Sequence, residues 1–349
     1  MGKRVLDLAI CVAGISVLVW AIGQAAPAPT AAQEAVARNI AAPAQNEAAP
    51  AQNAAAEQNA APVAATPADK RVLIISVDAM RPDLALRAQT PTLRAMLKKG
   101  TFTFWARTTA VSLTLPSHTS MLTGVKPDKH GIVWNVDLPL KEPIYPAVPT
   151  LFELAHKAGL TTAMATGKSK FSALAKPHTL DWSFVPGSKL TTDQAVTDQA
   201  VAMIQEHQPQ VLFVHLPDTD TVGHKCGWGS DEQIKAIENA DGQIRRLLDA
   251  LDEKHLREQT LIIVTADHGG AGKNHGADDP RSRHIPWIAT GPGVRENYDL
   301  TLLADLTVNT EDTFATACWF LDIPLPDGLD GKPVTAIMKQ SKGPAAGSR

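Results

Sequence analysis

Residues 71–83 read RVLIISVDAMRPD. From Val72 to Val77 every position but Ser76 is apolar, and the run ends on an acid, Asp78. A strand with one wet face alternates polar and apolar side chains, so a nearly continuous apolar run describes a strand covered on both faces. Four later stretches repeat the pattern: Leu160–Ala165, Val211–Leu216, Leu261–Thr265 and Ile285–Ala289. Helical periodicities lie between them. The clearest runs from Asp231 to about Asp252, where Ile234, Ile237, Ile244, Leu248 and Leu251 recur at helical spacing behind a capping Ser230. Asp241 falls on that apolar stripe, which predicts a buried capping or hydrogen-bonding role. Helices are also predicted over Thr150–Lys157, ended by Gly159, and from near Thr310 to Leu321.

This alternation predicts an α/β fold: one three-layer α/β/α domain over residues 70–338, with a mostly parallel central sheet. In such a sheet ligands bind beyond the carboxyl ends of the strands. The chain's polar clusters stand there. Asp78 closes the first strand, Asp218 and Asp220 follow Leu216, and Asp267 and His268 follow Thr265.

The 349 residues are 44% hydrophobic and 20% charged with a formal net charge of -3, which excludes a polybasic nucleic-acid module and an acidic disordered tail. Duplex nucleic acid is therefore not an expected partner. Lys3 and Arg4 precede an uncharged run, Leu8–Gly23, so residues 1–25 read as a signal peptide or an N-terminal membrane anchor. Export follows, to the periplasm or to the outer side of the inner membrane, with the segment as a tether if it is retained. Residues 26–69 are almost all Ala, Pro, Gln, Asn, Glu and Thr, lack a periodic apolar face, and read as a disordered linker; residues 339–349 read as a flexible tail. Beyond Cys11 in the apolar run, Cys226 and Cys318 allow at most one bridge.

Three segments concentrate carboxylates and imidazoles: ISVDAMRPD with Asp78, PDTDTVGHKCGWG with Asp220 and His224, and TADHGGAGKNHGADD with Asp267, His268 and His275. That mixture suits a borderline divalent ion, zinc first and manganese as the alternative. Six candidates exceed the four ligands of one zinc, and two ions about 4 Å apart would use them all while clamping the attacking and leaving oxygens at phosphorus. In TLPSHTSMLTGVKPDKHGIVWN, Thr114 precedes Pro116 and Ser117, where an ensuing helix would begin with its backbone donors toward an oxyanion. A hydroxyl there could attack phosphorus. Ser112 and Ser117 compete with Thr114 on these grounds. Asn135, 21 residues on, could donate to a non-bridging phosphoryl oxygen.

Together these segments resemble the alkaline phosphatase superfamily, and within it the type I phosphodiesterase and nucleotide pyrophosphatase branch, over about residues 71–338. The resemblance implies that Asp78, Thr114, Asp267 and His268 hold one metal and Asp220, His224 and His275 the other, because HGADD is similar to the family's HGxDN and DTVGH keeps its Asp-x-x-x-His spacing. TGVKPDKHGIVWN likewise implies a phosphate-contacting Asn135. Sulfatases share the scaffold, but no C/S-x-P-x-R stretch occupies the nucleophile position here.

The reaction so implied is hydrolysis of phosphodiester or nucleotide pyrophosphate bonds in a small phosphate ester, through a phospho-threonine intermediate. Lys168 and Lys170 in ATGKSKF are expected to bind substrate. Their spacing resembles the basic pair of phosphonoacetate hydrolases and some monoesterases, and extra cations favour a dianionic monoester. Monoester or phosphonate hydrolysis is thus the alternative, with a non-catalytic envelope-tethered binding domain as a third. Trp134, Trp182 and Trp228 are candidates to stack on a base or aryl group.

Overall fold

The structure, a computed structural model, describes residues 70–137, 143–187, 191–276 and 278–339. The export segment expected over 1–25, the linker over 26–69 and all but residue 339 of the expected tail lie outside the described residues. Among the described residues no helix is long and apolar enough to cross a membrane.

The opening run forms β1 (Arg71–Val77), in which Val72, Leu73, Ile74, Ile75 and Val77 are at most 1% exposed. Each such side chain contributes roughly 1.5–3 kcal/mol relative to exposure, which makes this strand the axis of the core. Two proline-started helices follow, α1 (Pro82–Arg87) and α2 (Pro91–Lys99), then β2 (Thr101–Arg107). Next come α3 (Thr114–Thr123), α4 (Pro127–His130) and α5 (Leu151–Lys157), the last opened by a Thr150–Glu153 capping box. β3 (Thr162–Thr166) and β4 (Trp182–Phe184) lead to α6 (Asp193–His207) and β5 (Val211–Leu216). After α7 (Asp218–Cys226), α8 (Asp231–Glu253) and β6 (Thr260–Thr265), the chain ends in α9 (Pro280–Arg283), β7 (His284–Thr290), β8 (Tyr298–Asp299) and α10 (Asp312–Phe320).

One eight-stranded sheet runs β4-β3-β5-β1-β6-β7-β2-β8. Helix α8 packs on α1, α2, α6 and α7, while α10 packs on α3 and α5, and α3 on α4, so the sheet lies between two helical groups as the sequence predicts. Ser230 caps α8 through Gln233 N–H. Asp241 is buried and accepts the N–H groups of Thr92 and Leu93 at 2.9 and 2.8 Å, satisfying two donors at the start of α2.

The structure supplies details that the sequence leaves open and moves some element boundaries. β7 covers the run Ile285–Ala289 but lies antiparallel to both β6 and β2. A parallel return needs a long crossover, usually a helix; the described residues between Thr265 and His284 instead line the site and hold only the four-residue α9. The expected strand Leu160–Ala165 sits later, over Thr162–Thr166, and the helix near Thr310 starts at Asp312. Helix α3 begins at Thr114 itself, with Pro116 inside its first turn, where a missing N–H costs nothing. Cys226 and Cys318 are both free.

Candidate active site

Sheet order decides what meets. β3, β5, β1 and β6 are consecutive neighbours, so the segments beyond their carboxyl ends stand side by side at the roughly 4.8 Å strand spacing. In that order these segments carry Lys168, Asp220, Asp78 and Asp267. The expected ligands come together in two clusters: one ligand atom each from Asp78, Asp267 and His268 lies within 4.8 Å of the others, and so does one each from Asp220, His268 and His275, with His268 where the expected set has His224. His224 joins through Nε2, 3.4 Å from Asp220 Oδ1.

Thr114 is delivered by α3, whose ten residues are all buried and whose end is closed by Gly124 in the left-handed conformation at φ 72°. Its hydroxyl lies 3.4 Å from His268 Nε2 and 3.5 Å from Lys168 Nζ. The competing Ser117 hydroxyl bonds to those of Thr108 and Thr109, both at 3.0 Å, and Ser112 offers its carbonyl to His275.

Three backbone carbonyls set the histidines. Nδ1 of His268 lies 2.8 Å from Gly269 O, that of His275 2.9 Å from Ser112 O, and that of His224 2.9 Å from Lys273 O. A carbonyl only accepts, so each Nδ1 carries the proton and each Nε2 presents a lone pair. Those lone pairs face carboxylate oxygens: His268 Nε2 is 3.2 Å from Asp267 Oδ2 and 3.4 Å from Asp78 Oδ1, and His275 Nε2 is 3.7 Å from Asp220 Oδ1. Asp78 Oδ1, Asp220 Oδ1 and Asp267 Oδ2 are buried without a hydrogen-bond partner. Acceptor facing acceptor is repulsive unless a proton or a metal cation stands between. Ligand atoms at 2.0–2.1 Å on a zinc tetrahedron are about 3.3 Å apart, close to the separations here, so the donor set fits such an ion.

Charge points the same way. Burial would raise the Asp78 carboxyl, but the Lys168 ammonium and His215 hold it well below the carboxylate range. Burial and then Asp78 push Asp267 well above that range. Burial and the neighbouring His275 push His268 down to about 4, and burial lowers His275 as well. Lys168 Nζ bridges the two clusters, 2.5 Å from Asp78 Oδ2 and 2.6 Å from Asp220 Oδ2. One ammonium stands among three buried carboxyl groups, so ionising all three needs further positive charge.

The site opens into a cleft of about 310 Å³ lined by Thr114, Asn135, Lys168, Lys170, His224 and His275, among others. Both lysines reach it, yet their ammonium groups bond to protein. Lys170 Nζ donates to Asn135 O at 2.7 Å and to its Oδ1 at 3.3 Å, and Oδ1 also accepts Leu115 N–H at 2.9 Å. With Oδ1 so engaged, the Asn135 amide nitrogen is the end left to donate. None of the three tryptophans expected to stack lines the cleft. Trp182 stacks on His207 with centroids 4.3 Å apart, Trp228 is buried against His224 at 5.2 Å, and Trp134 packs on the core.

His130 holds the turn that leads to Asn135. It accepts Ile132 N–H at Nδ1, 3.1 Å, and so donates from Nε2 to Ser120 Oγ at 3.0 Å. Burial pushes it from 6.5 down to about 4. The unfolded chain therefore takes up a proton that the folded chain refuses: stability is full above about pH 6.5 and falls toward pH 4, by about 1.4 kcal/mol per pH unit for this group. Denaturant midpoints at pH 7 and pH 5 are expected to differ less in His130→Asn than in the native chain.

Two buried histidines passed over in the sequence lie beneath the site. His118 donates from Nδ1 to Thr114 O at 2.7 Å and meets Ser76 Oγ at Nε2, 2.8 Å. His215 meets Asp78 Oδ2 at 2.8 Å. Their signal was present: His215 is the one polar side chain in the buried strand VLFVHL.

The model of the family described as type I phosphodiesterase / nucleotide pyrophosphatase matches residues 72–278, more than half of the chain. Human ectonucleotide pyrophosphatase/phosphodiesterase family member 1 is 27% identical over 203 residues, 51% of this chain and 21% of that protein. Human family member 7 is 23% identical over 228 residues, 60% of this chain and 50% of that protein, so the chain spans at most about half the length of these two relatives. Murine ectonucleotide pyrophosphatase/phosphodiesterase 5 superposes with a TM-score of 0.64 at 16% identity, over 77% of this chain and all of that one, as does its inactive threonine-to-alanine form in complex with AMP. With the motifs, the sheet order and the family match in agreement, the chain belongs to the type I phosphodiesterase/nucleotide pyrophosphatase family.

Proposed function

We propose that the protein hydrolyses phosphodiester or nucleotide pyrophosphate bonds of exported small phosphate esters through a phospho-threonine intermediate on Thr114. One observation carries this reading: three orphaned carboxylate oxygens gather with the Nε2 atoms of His224, His268 and His275, and the buried Thr114 hydroxyl lies 3.4 Å from His268 Nε2. Asp78, Thr114, Asp267 and His268 would hold one divalent cation and Asp220, His224 and His275 the other, zinc by donor type and manganese next. Bound there, such ions act as Lewis acids toward phosphoryl oxygen and lower the pKa of a coordinated hydroxyl or water.

The chain's own groups do the rest. The Thr114 Oγ–phosphorus bond forms as the ester P–O bond breaks, and the hydroxyl proton leaves to solvent and returns on the departing alkoxide. Water then splits the Oγ–phosphorus bond and reprotonates Thr114. The amide nitrogen of Asn135, fixed by Leu115 N–H and Lys170, donates to a non-bridging oxygen throughout. Family membership and the AMP complex of the murine relative support the diester and nucleotide class. A second reading, monoester or phosphonate hydrolysis, is favoured by the Lys168 ammonium 3.5 Å from the Thr114 hydroxyl.

Elemental analysis of purified protein, paired with rates on bis-p-nitrophenyl phosphate, p-nitrophenyl phosphate and phosphonoacetate, tests both. The expected result is bound zinc and a diester preference. A strong monoester preference would replace the first reading by the second. Protein that binds no divalent cation and turns over none of the three esters would leave a non-catalytic binding domain.

A further inference from the structure

The geometry points to His215 as a positioning residue that decides which oxygen of Asp78 is presented to a cation, an inference that rests on the metal reading above. His215 lies at 0% exposure in β5, whose residues pair in register with β1: Ser76 opposite His215 and Val77 opposite Leu216. Asp78 is the next residue along, so the imidazole stands beside its carboxylate.

The ring can be oriented without ambiguity. Gly167 N–H lies 3.1 Å from Nδ1, and a backbone N–H only donates, so Nδ1 is the acceptor. Nε2 therefore carries the proton, and it donates to Asp78 Oδ2 at 2.8 Å. This is the reverse of His224, His268 and His275, whose Nδ1 atoms donate to carbonyls. A ring with its only proton on Asp78 and its only lone pair on Gly167 has no free nitrogen left to bind a metal. It can act only on Asp78.

The consequence falls on the carboxylate. Oδ2 receives both His215 and Lys168, whereas Oδ1 has no hydrogen-bond partner and faces His268 Nε2 at 3.4 Å. Rotation of the carboxylate about its Cβ–Cγ bond would exchange the two oxygens, and a directional N–H···O bond on one of them opposes it. Phe171 lies tilted against the ring at 4.4 Å and His118 meets it edge-on at 5.0 Å, and this packing opposes rotation of the imidazole. Hydrogen bonds to ligating groups typically change metal affinity by about 10–100-fold.

Two substitutions separate the ring's two bonds. His215→Gln can place an amide N–H where Nε2 stands and keep the bond to Asp78. His215→Asn places its amide oxygen near Nδ1, which keeps the acceptor for Gly167 N–H and removes the donor to Asp78. Zinc affinity of each full-length protein is measured by chelator competition, with thermal melts of the metal-free proteins recorded alongside. The expected result is a native-like dissociation constant for His215→Gln and one raised about 10–100-fold for His215→Asn. Native affinity in His215→Asn would overturn the inference, and so would equal losses in the two variants, which would make the ring a packing element. A native protein that binds no zinc would remove the proposed function itself, and this inference with it.

Discussion

Thr114→Ala is expected to lower kcat on the best ester by about 10⁴-fold or more while the content of bound divalent cation stays unchanged. The two halves of this expectation have separate causes. Turnover is expected to depend on the hydroxyl because, among the candidates, Thr114 directs one toward His268 Nε2 and Lys168 Nζ, whereas Ser117 is committed to Thr108 and Thr109. Cation content depends chiefly on the carboxylates and imidazoles, since the substitution removes one of the seven proposed ligands and leaves the other six in place. The helix should persist, since alanine is the better helix former and α3 is held by its buried length and by Gly124. Thr114→Ser keeps a hydroxyl and is expected to retain phosphoryl transfer, detectable as phosphorylated protein by mass spectrometry after acid quench. Full activity in Thr114→Ala would assign the attack to water or to another residue. A drop in cation content alongside turnover would make Thr114 chiefly a ligand.

The convergence of the candidate ligands was legible in the sequence because their carboxylates end a strand or open the segment beyond one. Asp78, Asp220 and Asp267 follow continuous apolar runs, and the rule that ligands gather beyond carboxyl ends turns that placement into a site. What remained hidden depends on backbone groups and on strand neighbours. The tautomers of His224, His268 and His275 are set by the carbonyls of Lys273, Gly269 and Ser112, and every residue has a carbonyl, so no side-chain pattern reports them. β2 went unread because it buries Thr101 and Thr103 while Trp105 is 64% exposed where the register shifts, the inverse of the usual alternation. The antiparallel course of β7 was likewise invisible in Ile285–Ala289, because a strand buried on both faces has the same composition in either direction. Lys168 and Lys170 reach the cleft, where the sequence expects them to bind substrate. Their ammonium groups are engaged by Asp78, Asp220 and Asn135, a consequence of β3 lying beside β5 that composition does not carry.

Lys168→Met should destabilise the protein by about 3–5 kcal/mol in the presence of a chelator, the cost of removing one partner from a buried ion pair. The side chain is 6% exposed and its ammonium contacts Asp78 and Asp220 together, so the substitution keeps much of the apolar stem and leaves two buried carboxylates without their shared cation. The pH window follows from the shifts. Asp78 is held well below its ordinary 3.8, so its share of the stabilisation is present above that pH and lost as acid titrates it in the folded chain. Burial would lower Lys168, but the two carboxylates raise it above its ordinary 10.5, so its share is complete below 10.5 and fades only in stronger base. Denaturant unfolding of native and Lys168→Met protein should therefore differ most between about pH 5 and pH 10 and converge toward pH 2. Saturating zinc offers a second cation to the same carboxylates, so it should close much of the gap at pH 7.5 by binding the folded form. A gap that zinc leaves untouched would show that the ammonium and the metal serve different groups, and that Asp78 and Asp220 are held by Lys168 alone.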